Sequence, residues 1–149
     1  MITLTNLKQL YEIDDSQWLE EIVKLLKNQQ FKEIDWENLI EELEDLGKEK
    51  KNAVVSLLEQ VIRHLLLLEY WPSEREYNQL HWQEEIYNFR IQLKRRLTTN
   101  LRNYLESELN SIYQDALGFV QIKTQKTVNF PPDSPYSLDQ LLDIDWLPN

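Results

Sequence analysis

Few side chains in this sequence have the chemistry for catalysis or ligand binding. There are two histidines and no cysteine. Without a thiol, cysteine catalysis, disulfides, zinc fingers and iron–sulfur clusters are excluded. His64 lies in "VIRHLLLLEYW", at the edge of an apolar run, and His81 opens "HWQEEIYNFR". Neither begins the His-Glu-x-x-His run of a zincin helix. The residues three places before them, Val61 and Asn78, deny the Glu-x-x-His pattern of a di-iron bundle. What remains for metal chemistry is a carboxylate–histidine set of Glu41, Glu42, His64 and Glu69, with His81 and Glu85 as a further pair. Hard oxygen donors around one imidazole suit manganese, magnesium or iron. No organic cofactor is predicted. The two glycines, Gly47 and Gly118, are too far apart for a P-loop or a dinucleotide fingerprint. No nucleophile elbow supports serine catalysis.

Anion binding is the other chemistry on offer. Residues 83–103 carry five basic side chains against two acidic ones, a local net of +3. Arg90 and Arg95 are the candidates there for holding a small anionic ligand. Residues 1–50 are the reverse, with 13 acids and 6 bases, a net of −7. The simpler account of both stretches is mutual attraction within the fold. Over the whole chain 16 basic residues face 26 acidic ones, a formal charge of −10. That balance argues against nucleic-acid binding, which needs phosphate neutralisation, and against anionic membranes.

With 149 residues, 42% of them hydrophobic, the chain is long enough to bury one core without staples and too apolar for general disorder. The start, "MITLTNLKQLYEIDD", lacks the basic and apolar regions of a signal peptide, so a soluble cytoplasmic protein is expected. The absence of cysteine suits that compartment.

The elements that must position these side chains read as helices. The two glycines and the clustering of all five prolines at or after Pro72 leave the first half almost free of breakers. A short helix is expected around Leu4 to Tyr11, and another from about Ser16 to Asn28, capped by Asp14 with Gln17 three residues on. Asp35 starts the next, "DWENLIEELEDLG". Trp36, Leu39, Ile40, Leu43 and Leu46 share an arc of about 120°, and the acids, Glu41 and Asp45 foremost, fill the solvent side. Gly47 should end or kink it. A long helix from about Glu49 to Tyr70 is apolar over nearly half its circumference, with His64 at the edge of that arc and Glu69 pointing into it. Pro72 closes it, and Asn78 caps a helix from about Gln79 to Leu97 striped by Trp82, Ile86, Phe89, Leu93 and Leu97. After the break at "TTN", a last long helix runs from about Asn100 to Val120. Its apolar face includes Glu108, which needs a cationic partner. Beyond Thr124 a Pro-rich extended segment leads to a short helix capped by Ser137 with Gln140.

These pieces define an all-α fold. The expected architecture is a single domain over residues 1–149, an antiparallel bundle of four to five main helices. Residues 124–149 form a C-terminal extension laid on the bundle. The alternative for that extension is a peptide that docks into a partner.

The blocks "LYEIDDSQWLEEIVKLL", "DWENLIEELEDLG", "LLEQVIRHLLLL", "HWQEEIYNFR" and "FPPDSPYSLDQLLDIDWLP", in that order, span almost the whole chain. In this they resemble the bacterial family called domain of unknown function number 29, small and mainly helical proteins abundant in cyanobacteria. Where many relatives carry a lysine before an aromatic after the His-Leu-Leu turn, this chain has Leu67 and Leu68. The resemblance implies a helical fold and supplies no activity.

The leading functional expectation is a small module that binds another protein or associates with itself, using exposed aromatic anchors. A metal-dependent enzyme at the carboxylate–histidine set is the first alternative, and a binder of a small anion at Arg90 and Arg95 the second. The sequence does not decide whether the protein is an enzyme. For His64 the competing account is structural, with its nitrogens satisfied by a neighbouring carboxylate or carbonyl. Glu69 is then expected to meet a tyrosine or an arginine.

Overall fold

The computed structural model describes residues 3–149. They form an all-helical bundle of several helices, and no strand occurs among the described residues. They divide into two compact units, Met1–Glu49 and Lys50–Asn149. Each has its own buried cluster. No helix of the described residues is long and apolar enough to cross a membrane.

In the first unit α1 (Leu4–Ile13) and α2 (Asp15–Lys27) begin with side-chain caps. The Thr3 hydroxyl accepts the Asn6 N–H at 3.2 Å, and the Asp14 carboxylate accepts that of Gln17 at 3.0 Å. A single 3-10 turn, Phe31–Glu33, leads into α3 (Trp36–Tyr70). The core of this unit is Leu7, Trp18, Ile22, Ile34 and Leu39. Within it Asp35 is fully buried. One of its carboxylate oxygens accepts the Trp18 indole N–H at 3.2 Å and the Asn38 amide at 2.6 Å.

Two expectations fail on α3. Gly47 does not end the helix, which runs unbroken to Tyr70. Its φ is not positive, and the strong helix formers on both sides carry the conformation through. The stripe expected in the core is also mostly outside it. Only Leu39 is buried, whereas Trp36, Ile40, Leu43 and Leu46 are roughly half exposed. Five side chains already fill this unit's core, and periodicity alone shows an apolar face without showing what covers it.

The second unit has the larger core. The C-terminal half of α3 contributes Val54, Leu58, Val61, Ile62, Leu65 and Leu66, as its wide apolar arc requires. They pack with Trp82, Ile86 and Leu93 of α4 (Pro72–Arg96) and with Leu105, Ile112, Tyr113 and Ala116 of α5 (Thr99–Lys123). α4 starts two turns before the expected Gln79. Pro72 opens it instead of merely closing α3, because proline at the first helical position lacks only an N–H that has no partner there anyway. Asn78 is accordingly not a cap, and its amide donates to the Glu74 carbonyl at 3.0 Å. Thr98 caps α5, its hydroxyl accepting the Leu101 N–H at 3.2 Å. Glu108 is half-buried and makes no ion pair among the described residues.

Residues after α5 are held at several points. The Tyr113 hydroxyl donates to the Pro131 carbonyl at 2.6 Å, and Tyr136 donates to Glu69 at 2.7 Å. Ser137 and Gln140 cap α6 (Leu138–Leu142) reciprocally. Leu138 and Leu141 are buried in the second unit's core.

Candidate functional site

A cleft of about 580 Å³ in the second unit lies among α3, α4 and α5. The apolar run of α3 is interrupted on one side by Gln60, Arg63 and His64, and these polar side chains form one wall. Glu74, Asn78 and His81, one helical turn apart along α4, form the second. Phe119 and Lys123, one turn apart near the end of α5, form the third. Trp71 and Trp82 complete it, their rings nearly parallel at 17° with centroids 6.2 Å apart.

His64 is held by its own helix. Its Nδ1 lies 2.6 Å from the Gln60 carbonyl oxygen. A carbonyl can only accept, so Nδ1 carries the proton and the neutral ring keeps its lone pair on Nε2. Its pKa is lowered from the ordinary histidine value, chiefly by burial, which penalises the charged form. The Gln60 carbonyl and Glu85 pull the other way, and His81 and Lys123 add to the lowering. The ring of Phe89 sits 5.5 Å from that of His64. Arg63 is paired with Glu59 at 2.6 Å, and its guanidinium lies 3.7 Å over the Phe119 ring. The Arg63 Nε is buried with no hydrogen-bond partner. Two imidazoles, an ammonium and a guanidinium around one cleft can bind an anion and can exchange protons with it.

The residues singled out in the sequence fall in different places. His64 and His81 meet in the cleft, and Glu85 is close enough to His64 to act on its charge. Glu69 does not line this cleft, and its carboxylate accepts the Tyr136 hydroxyl. Burial and Glu69 together hold that tyrosine protonated far above its usual range. Glu41 and Glu42 belong to the first unit. Glu41 is exposed, and Glu42 accepts the Tyr11 hydroxyl at 2.6 Å, which raises the tyrosine pKa. Among the described residues no three histidine, aspartate or glutamate side chains are grouped to hold a metal ion. Glu41, Glu42, His64 and Glu69 therefore do not form such a group.

Arg90 is not a surface cation. It is buried, and it donates to three main-chain carbonyls, those of Leu141 at 2.8 Å, Gln140 at 2.9 Å and Trp146 at 2.6 Å. Burial lowers its pKa to about 10, with Asp143 opposing. Arg95 is exposed on the same helix. Three of the five N–H donors of Arg90 are thus engaged within the protein, and Arg95 does not line the cleft that Arg90 borders with Lys94.

Sequence reasoning missed Arg63, Trp71, Asn78, Phe119 and Lys123 as cleft residues. The one local signal was Arg63–His64 breaking an otherwise apolar run. Lys123 and Phe119 come from another helix, and nothing in their own neighbourhood points to the histidines.

Fold and cleft together define a small helical protein with a histidine-bearing cleft and a partly bare apolar face. The model of the family described as Domain of unknown function DUF29 matches residues 10–147, and the chain belongs to that family. No curated protein and no solved structure matches it.

Proposed function

We propose that this chain is a cytoplasmic protein-interaction module whose docking element is the first unit. The observation that carries the reading is the half-exposed apolar face of α3. Trp36, Ile40 and Leu43 follow each other at helical spacing with exposures of 47%, 52% and 59%, and Leu46 extends the row. On α2, Leu19, Val23 and Leu26 form a second row of the same spacing. Isolated exposed leucines are ordinary, and rows at helical spacing on two helices support the reading of a docking surface.

The occupant we assign is an amphipathic helix of a partner protein with basic residues along its flanks. Residues 1–50 carry a net charge of −7, and Glu37 and Glu44 stand exposed beside the α3 row. A second copy of this chain would set the same negative charge against itself, whereas a basic helix gains from it. Leu43→Glu leaves the buried core untouched and puts a charge at the centre of the row. It should weaken capture of a basic-helix partner by at least about ten-fold, the loss typical of an interface anchor. The supporting result is a partner, identified by mass spectrometry, that carries such a helix, is lost with Leu43→Glu and is released by salt. A partner retained by Leu43→Glu, or a wild-type chain that dimerises by itself through this face, overturns the reading.

A further inference from the structure

The cleft of the second unit offers a function independent of the docking face. Its charges are segregated along its length. On α3, Arg63 and His64 precede Trp71 by two turns, about 12 Å along the axis. On α4, Glu74 and Asn78 come first, and Phe89, whose ring meets that of His64, comes more than three turns later. Lys123 also acts on His64. Cationic groups therefore collect at the His64 end, and Glu74 stands at the other. Arg63 is neutralised by Glu59, whereas Lys123 makes no ion pair among the described residues. The parallel rings of Trp71 and Trp82 supply flat apolar wall. The volume of about 580 Å³ lies within the ordinary range of small-molecule sites.

We propose that this cleft binds a small organic anion, a carboxylate or phosphate carried on a planar apolar body. The anionic group meets Lys123 and the two imidazoles, and the body lies against the tryptophan faces. Neutral His64 presents a lone pair at Nε2, so it donates to an anion only after taking up a proton. In the empty cleft Glu85 favours that proton, while burial, His81 and Lys123 oppose it. Arg63 and Glu74, of opposite sign, complete the charges facing the cleft. A bound anion adds to the side of Glu85, so binding raises the pKa of His64 and tightens as the pH falls toward that value.

Because the chain has only two histidines and both line the cleft, their ring Cε1–H signals in a proton NMR spectrum report on this site alone. Phenyl phosphate and benzoate are the probes, with inorganic phosphate and benzyl alcohol as controls for the separate halves. At least one aromatic anion should shift both signals saturably and raise the His64 titration midpoint, and the stronger of the two identifies the head group. Inorganic phosphate should bind more weakly and benzyl alcohol should leave the signals in place. Lys123→Ala, at an exposed position, should keep the helical circular-dichroism spectrum and weaken binding about ten-fold, the loss of one charge-assisted hydrogen bond. The proposal is overturned by any of three results: no saturable shift with either anion, an inorganic phosphate affinity equal to theirs, or full affinity in Lys123→Ala.

Discussion

Arg90 shows how one side chain organises a segment with no regular ladder of its own. The last residues of the chain expose main-chain carbonyls that no helix satisfies, and one guanidinium collects three of them. The contact reads backbone instead of side chains, so it tolerates changes in residues 140–146 better than a change in itself. Arg90→Ala should cost about 2–4 kcal/mol, since buried carbonyls lose charge-assisted donors and must be rehydrated. Urea unfolding gives that number, and limited proteolysis should show earlier cleavage after residue 124. Arg90→Lys keeps the charge without the planar fork and should recover only part of the loss. The apolar stripe of α4 leaves Arg90 outside it together with Lys94 and Arg95, and the structure corrects that reading: Arg90 is buried, one turn from both Ile86 and Leu93. The surrounding Lys94, Arg95 and Arg96 masked this, because a run of cations reads as a wet surface. His64 and His81 were legible as the chain's only imidazoles, but their meeting was not. It depends on the packing of α3 against α4, which no local pattern encodes.

At the scale of elements, caps and periodicity located most of the helices. Asp14 with Gln17 and Ser137 with Gln140 are local hydrogen-bond devices, fully written in four residues. Breakers misled where their effect depends on context. Pro72 opens α4, and Gly47 passes through α3 unnoticed. A Cβ placed on Gly47 meets nothing within 4 Å. Gly47→Ala should therefore stabilise the protein by about 0.5–1 kcal/mol, through the lower entropy of the unfolded chain and better helix propensity. An upward shift in the thermal midpoint checks this, and an unchanged or lowered midpoint would mean that α3 needs its glycine. The exposed row on α3 is the element the sequence could not place, because an apolar arc looks the same whether its cover lies in the same chain or another.

For the whole molecule, the response to acid follows from buried groups and net charge. His64 has a lower pKa folded than its ordinary 6.5, so in the interval between the two values the unfolded chain holds more protons. Its contribution to stability is complete above about pH 6.5 and is lost as the pH falls toward the folded value. His64→Gln removes this limb. The thermal midpoint of the wild type should fall more between pH 7.5 and pH 5.5 than that of the variant, and equal falls would show that His64 carries no such linkage. On further acidification the chain approaches its isoelectric point of about 4.7. The exposed leucine row on α3 then takes on another meaning. At neutral pH the glutamates beside it act as gatekeepers, keeping like molecules from sticking along that greasy seam. Near the isoelectric point the net charge that holds like molecules apart is gone while the seam stays bare, and the colloid loses its protection against flocculation at that face first.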